Sequence, residues 1–178
     1  MLFLKRFDTP VGEMLGAATD EGLCIFDYAH RKMIGTILSR VQTRLQTKAI
    51  EGDHQHFDAL EKQLEEYLNG SRQQFTLPLH LIGSNFQVSV WRALQQIPYG
   101  ETRSYKKQSI ALGDENAVRA VARANGENGI AIIVPCHRVI GESGSLVGYS
   151  GGVRIKQWLL EHEKTHAGSL IQRLLFEI

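Results

Sequence analysis

The stretch SYKKQSIALGDENAVRAVARANGENGIAIIVPCHR, Ser104 to Arg138, decides how the second half of the chain folds. Ser104 is placed to cap a short helix ending at Leu112-Gly113. Asp114 is placed to cap a second, roughly Glu115 to Asn125, stopped by Gly126. Two short helices joined by a Gly-containing turn are the pattern of a helix-turn-helix, and a helical hairpin with no role in DNA binding reads the same way. The run Ile130-Ala131-Ile132-Ile133-Val134 then predicts a buried strand from its branched residues. Pro135 ends it, and Cys136-His137-Arg138 follow directly.

Upstream, Ser84 is placed to cap a helix carrying Phe86, Val90, Trp91 and Leu94, which Ile97-Pro98-Tyr99-Gly100 stops. Downstream, a glycine-rich loop through Gly141, Gly144, Gly148, Gly151 and Gly152 leads to a helix from about Val153 to Lys164. The first half reads differently. Leu2 to Leu4, Met14 to Ala17 and Leu23 to Phe26 are short strands separated by turn residues, an antiparallel meander. Apolar residues then recur at helical spacing over Met33 to Leu45 and over Phe57 to Leu68. Phe75 to Leu81 is extended, and Pro78 inside it argues for an edge or crossing segment. The expectation is an α+β chain: an α+β unit over residues 1–83, a mostly helical unit over 84–166, and a tail from 167 to 178. The apolar tail residues Leu170, Ile171, Leu174 and Leu175 suit a packed helix, a dimer contact or a loose end.

Composition narrows the function. With 20 basic against 19 acidic residues and 43% hydrophobic residues, the chain is globular and is no DNA coat protein. The charge is nevertheless uneven: residues 1–83 carry 9 basic and 11 acidic groups and residues 84–178 carry 11 and 8, so any basic surface belongs to the second half. The start Met1-Leu2-Phe3-Leu4 runs into Lys5-Arg6, and no stretch approaches the ~20 apolar residues of a membrane span, which predicts a cytoplasmic protein. The only cysteines, Cys24 and Cys136, have no CxxC or His-x-Cys companion, so neither a disulfide scaffold nor a metal site is expected.

Cysteine chemistry therefore rests on one thiol. Cys136, between a proline and the cationic His137 and Arg138, has the surroundings of a thiol with a depressed pKa. A buried, inert cysteine is the competing reading. Neighbours on an extended chain point to opposite sides, so either the chain turns at Cys136 or a water relays its proton to His137. In the last helix Ile155, Leu159 and Glu163 share a stripe, which puts a carboxylate on the apolar face beside Trp158; a solvated Glu163 at the helix end fits the pattern equally. A Cys-His-Glu series is a generalised triad.

Pro135-Cys136-His137-Arg138-Val139-Ile140 resembles the active-site motif of the O6-alkylguanine-DNA alkyltransferases, also called methylated-DNA-cysteine methyltransferases. The resemblance continues through Phe86-Gln87-x-x-Val90-Trp91, Ile97-Pro98-x-Gly100-Glu101, Ser104-Tyr105, Ala117-Val118-Arg119-Ala120-Val121 and Ala124-Asn125-Gly126-x-Asn128. It ends with Gly148-Tyr149-Ser150-Gly151-Gly152 and Lys156-x-Trp158-Leu159-Leu160-x-x-Glu163, so that it spans residues 84–163. It implies a ribonuclease H-like first part, and irreversible, single-turnover transfer of the alkyl group of O6-alkylguanine or O4-alkylthymine to Cys136, with no cofactor or metal. His137 would be the base through a bridging water, held by Glu163, and Tyr105 would donate to the guanine. Asn128 would brace the turn before the thiol, with Val139, Tyr149 and Ser150 lining the base site. Arg119 would enter the duplex where the nucleotide is flipped out. Ala117, Ala120 and Arg123 would face the minor groove, with Ala124 helping to keep the helix slender. The implied state is a monomer without an obligatory protein partner.

Two departures stand out. Gly129 and Ala131 replace prolines found in many relatives, which predicts a looser segment before the thiol, and Lys106-Lys107-Gln108-Ser109 replaces a more apolar helix. Two rivals fit less well: an alkyltransferase-like binding module needs no Cys136, and a Cys-His-Glu hydrolase leaves the helix-turn-helix unexplained.

Overall fold

The computed structural model describes residues 1–176, and side chains through residue 168. Strands β1 (Leu2–Thr9), β2 (Gly12–Thr19) and β3 (Gly22–Tyr28) form the expected antiparallel meander. Gly22 turns the last hairpin at φ +144°, and a Cβ there would sit 2.6 Å from the Pro78 carbonyl oxygen, so that position requires glycine. Helix α1 (Ile34–Leu45) leads to β4 (Ala49–Glu51), which pairs parallel to β1 and was not anticipated; the sheet order is β3-β2-β1-β4. Helix α2 (Gln55–Leu68) covers one face of the sheet through Phe57, Leu60 and Leu64, while Ile37 and Val41 of α1 pack against the other with Ala17 and Ile25. The Phe75–Leu81 segment crosses the free edge of β3, where Leu23 and Pro78 share a backbone bond of 2.9 Å.

Helix α3 (Asn85–Leu94) opens on a full capping box between Ser84 and Gln87. A two-residue strand β5 (Arg103–Ser104) leads into α4 (Tyr105–Ala111), capped by Ser104 as expected. The next helix, α5 (Val118–Gly126), starts later than the sequence suggests and has no side-chain cap. The Asp114 carboxylate is used locally, on the Asn116 N–H at 2.9 Å. In α4 the polar departures are absorbed: Gln108 and Ser109 are fully buried, bonded to Arg103 and the Asp114 carbonyl, while Lys106 and Lys107 face outward.

Residues 130–134 are not a strand. Only Ile130 bridges to Phe26; the chain then turns, and Ile132 takes φ +70°, a rare conformation for a β-branched residue. A continuous branched run reports burial on all sides, and here a compact turn achieves that burial instead of a sheet. Nor is the segment loose. The Gly129 carbonyl accepts from Phe26 N at 2.8 Å and Ala131 N donates to the Phe26 carbonyl at 2.7 Å, a bond that proline could not make. Strand β6 (Val139–Ile140) pairs parallel to β5, and α6 (Val153–Phe176) continues past the expected stop at Lys164, which settles the helical form of the tail through Phe176; Glu177 and Ile178 lie outside the described residues. One hydrophobic cluster joins Phe26 and Tyr67 of the first half to Val90, Val121, Ile133 and Leu159 of the second.

Candidate active site and DNA-facing surface

The chain turns at the thiol. Cys136–Arg138 form a single 3-10 turn, so Cys136 and His137 are not on opposite faces of a strand. Cys136 is 8% exposed. Burial pushes its thiol up, with the Asn128 amide and the charges of Arg31 and Lys156 opposing that rise, so the depressed pKa expected from Arg138 is not found. Burial is the main cause, and Arg138 is committed elsewhere, to Glu163 and to the Ile97 carbonyl at 2.6 Å.

Glu163 is fully buried, not solvated, and takes donors on both oxygens. Oε1 accepts from Tyr67 Oη at 2.7 Å, His137 Nε2 at 2.7 Å and Arg138 Nη2 at 3.0 Å; Oε2 accepts from Arg138 Nε at 2.8 Å and Gly100 N at 3.1 Å. Burial alone would raise the carboxyl's pKa, but the bonds from His137 and Arg138 hold it far below the usual range. Trp158 does not share this environment. Five residues along a helix place two side chains about 140° apart, and Trp158 is 43% exposed, stacked on His162 at 4.9 Å.

Burial lowers the pKa of His137, against the Glu163 hydrogen bond, so the imidazole is neutral. A carboxylate only accepts, so the ring proton sits on Nε2 and the lone pair on Nδ1. Nδ1 is buried without a protein partner. It is the one basic atom of the triad that is not already engaged.

Around this centre, Tyr105 opens α4 half-buried, and burial raises its pKa against the Asn125 amide, keeping the phenol protonated. Asn128 braces the turn as expected: Nδ2 donates to the Ile130 and Val134 carbonyls at 3.3 and 3.0 Å, and Oδ1 accepts from Ile130 N at 3.0 Å. Val139 is buried and its carbonyl accepts from Lys156 Nζ at 2.6 Å. Tyr149 and Ser150 are half-buried, with the Tyr149 ring edge-on to Tyr28 at 5.8 Å. On α5, Arg119, Ala120 and Arg123 are exposed, and Ala117 just before the helix is half-buried; Arg123 also pairs with Glu127 at 3.1 Å. Ala124 instead packs in the core at 3% exposure, where its carbonyl accepts from Trp91 Nε1 at 2.8 Å.

Sequence reasoning misses Tyr67 and Lys156. Tyr67 looks like a core aromatic of α2, and only the tertiary structure carries its hydroxyl to Glu163. Lys156 is fully buried and donates also to the Val147 carbonyl at 2.9 Å, joining β6 to the glycine-rich loop. The charge in an otherwise apolar helix face was the available signal.

A buried thiol next to an oriented imidazole, in a chain that also carries two short successive helices with exposed lysines on the first and exposed arginines on the second, defines a helix-turn-helix protein built around one cysteine. Comparison with known proteins specifies it. Residues 3–81 match the model of the ribonuclease-like domain of 6-O-methylguanine DNA methyltransferase, and residues 85–165 match the model of its DNA binding domain. The chain belongs to the 6-O-methylguanine DNA methyltransferase family. It is 42% identical over 165 residues to the methylated-DNA--protein-cysteine methyltransferase of Methanosarcina barkeri, covering 93% of this chain and 99% of that one. The crystal structure of Mycobacterium tuberculosis O6-methylguanine methyltransferase superposes with a TM-score of 0.77 at 40% identity, over 93% of this chain and 94% of that one. The crystal structure of Mycobacterium tuberculosis OGT in complex with DNA does so with a TM-score of 0.78 at 40% identity, over 92% and 94%. Among the described residues no helix is long and apolar enough to cross a membrane.

Proposed function

We propose that this chain repairs alkylated DNA directly, transferring the alkyl group from O6-alkylguanine, and from O4-alkylthymine, to Cys136. The observation that carries the reading is the His137–Glu163 bond of 2.7 Å, which fixes the Nε2–H tautomer and leaves Nδ1 as base. Nδ1 takes the thiol proton through a water. The sulfur then attacks the alkyl carbon, the S–C bond forms, the C–O6 bond breaks, and the guanine leaves as an anion whose charge the Tyr105 phenol stabilises by donating a hydrogen bond. The imidazolium formed on His137 is stabilised by the buried Glu163 carboxylate. Because the product is a thioether, with no carbonyl for water to attack, each molecule acts once.

The target base is read outside the stack. Arg119 holds the space of the flipped nucleotide, Ala117, Ala120 and Arg123 lie along the minor groove, and Val139, Tyr149 and Ser150 receive the base, on the substrate-binding turn that Asn128 braces. The protein acts as a cytoplasmic monomer, residues 1–83 forming one unit and 84–166 the other. Mixing with an O6-methylguanine duplex is expected to add one CH2 to the intact mass, at Cys136. Modification at Cys24, or more than one turnover per molecule, contradicts the reading.

A further inference from the structure

Four carbonyls at the end of α5 and in the turn beyond it are taken by side chains from elsewhere in the chain. Trp91 Nε1 donates to Ala124 O; Arg31 donates to Gly126 O and, at 2.7 Å, to Asn128 O; Arg40 donates to Glu127 O at 3.1 Å. Both arginines come from the first half of the chain, Arg31 from the turn after β3 and Arg40 from α1. Arg31, whose side chain is 10% exposed, is itself held by the fully buried Asp27 of β3. Arg40 lies over the Trp91 ring at 5.2 Å. A helix leaves its last carbonyls unpaired and its C-terminus partially negative, so two guanidinium groups there satisfy the backbone and the dipole together.

The turn they grip leads straight to the thiol, because Asn128 ties down Ile130 and Val134 just before Cys136. We propose that Arg31 and Arg40 are positioning residues: they clamp the C-terminus of α5 to the first half of the chain and so set the register between the DNA-facing helix and Cys136. The proposal rests on the reading that α5 faces DNA and Cys136 is the acceptor. It gives the first half a part in repair, since a base flipped by Arg119 reaches the sulfur only if helix and turn are held at one distance.

The test compares alkylation of the full chain by an O6-methylguanine duplex and by free O6-benzylguanine, which needs no helix. Arg40→Met keeps the packing on Trp91 and removes the bond to Glu127. Arg31→Lys keeps the charge beside Asp27 but cannot span two carbonyls, as the planar fork does. Both are expected to slow the duplex reaction by about tenfold, less than the roughly hundredfold that an ångström of misplacement costs, with the free-base rate and the affinity for undamaged duplex unchanged. Arg40→Lys, which can still reach one carbonyl, is expected to restore most of the rate. Equal slowing with both substrates, no slowing, or a parallel loss of duplex affinity overturns the clamp. Failure of the unsubstituted chain to alkylate with either substrate overturns the repair reading, and the proposal with it.

Discussion

The Tyr67 hydroxyl donates to Glu163 Oε1 at 2.7 Å, so a helix of the first half completes the environment of a carboxylate that also receives His137. The same oxygen serves both donors, and they compete for its charge.

Tyr67→Phe removes one donor without creating a large void. Glu163 then becomes the stronger acceptor for His137, the imidazolium gains stability, and the acid limb of the pH-rate profile moves to higher pH. Folding stability is expected to fall by about 1 kcal/mol, the net worth of one hydrogen bond. Alkylation by O6-benzylguanine across pH checks this; an unmoved acid limb contradicts the competition.

Acidification should unfold the protein in two stages. His137 and Glu163 both have lowered pKa values in the fold, so the native state binds fewer protons than the unfolded chain and stability rises with pH. The His137 contribution is complete above its ordinary 6.5 and is lost as the pH drops below it. The Glu163 contribution is complete above 4.5 and is lost further down. Glu163→Gln should abolish the lower stage and cost about 3 to 5 kcal/mol at neutral pH, because Arg138 is left buried without its counter-charge. Urea titrations over a pH series measure both effects.

Ala131→Pro should destabilise this chain. It removes the 2.7 Å bond from Ala131 N and leaves the buried Phe26 carbonyl without that donor, a loss of about 1 to 3 kcal/mol. A melting temperature equal to or above that of the unsubstituted protein would show that the bond contributes nothing.

Arg119→Ala separates flipping from plain phosphate contact. If the side chain fills the place of the extruded base, duplex repair slows far more than the free-base reaction, since unstacking costs on the order of a few kcal/mol. If it only touches phosphate, binding weakens for all sequences and the salt slope drops by about one. The first pattern is expected, and paired rate and salt titrations decide between them.

Much of this was legible locally. Ser84 and Ser104 cap the helices their positions announce, Gly22 turns its hairpin, and the stripe of Ile155, Leu159 and Glu163 puts a carboxylate inside the fold, because caps, turns and helix stripes depend on residues a few places apart. The branched run Ile130 to Val134 misled because apolarity reports burial and not backbone shape, so a turn with Ile132 at φ +70° leaves the same trace as a strand. The parallel strand β4 and the late start of α5 were hidden for a similar reason, one being a three-residue pairing and the other a carboxylate diverted to its own turn. The sequence by itself determined the α+β class, the opening meander, the helix pair and the identity of the single candidate thiol. Only the tertiary structure decided how charge is distributed around that thiol. Arg138 is drawn away to Glu163, Tyr67 arrives from α2, and Arg31 and Arg40 from the first half hold the turn, because electrostatic and hydrogen-bond partners are chosen by distance in space, which separation along the chain does not encode.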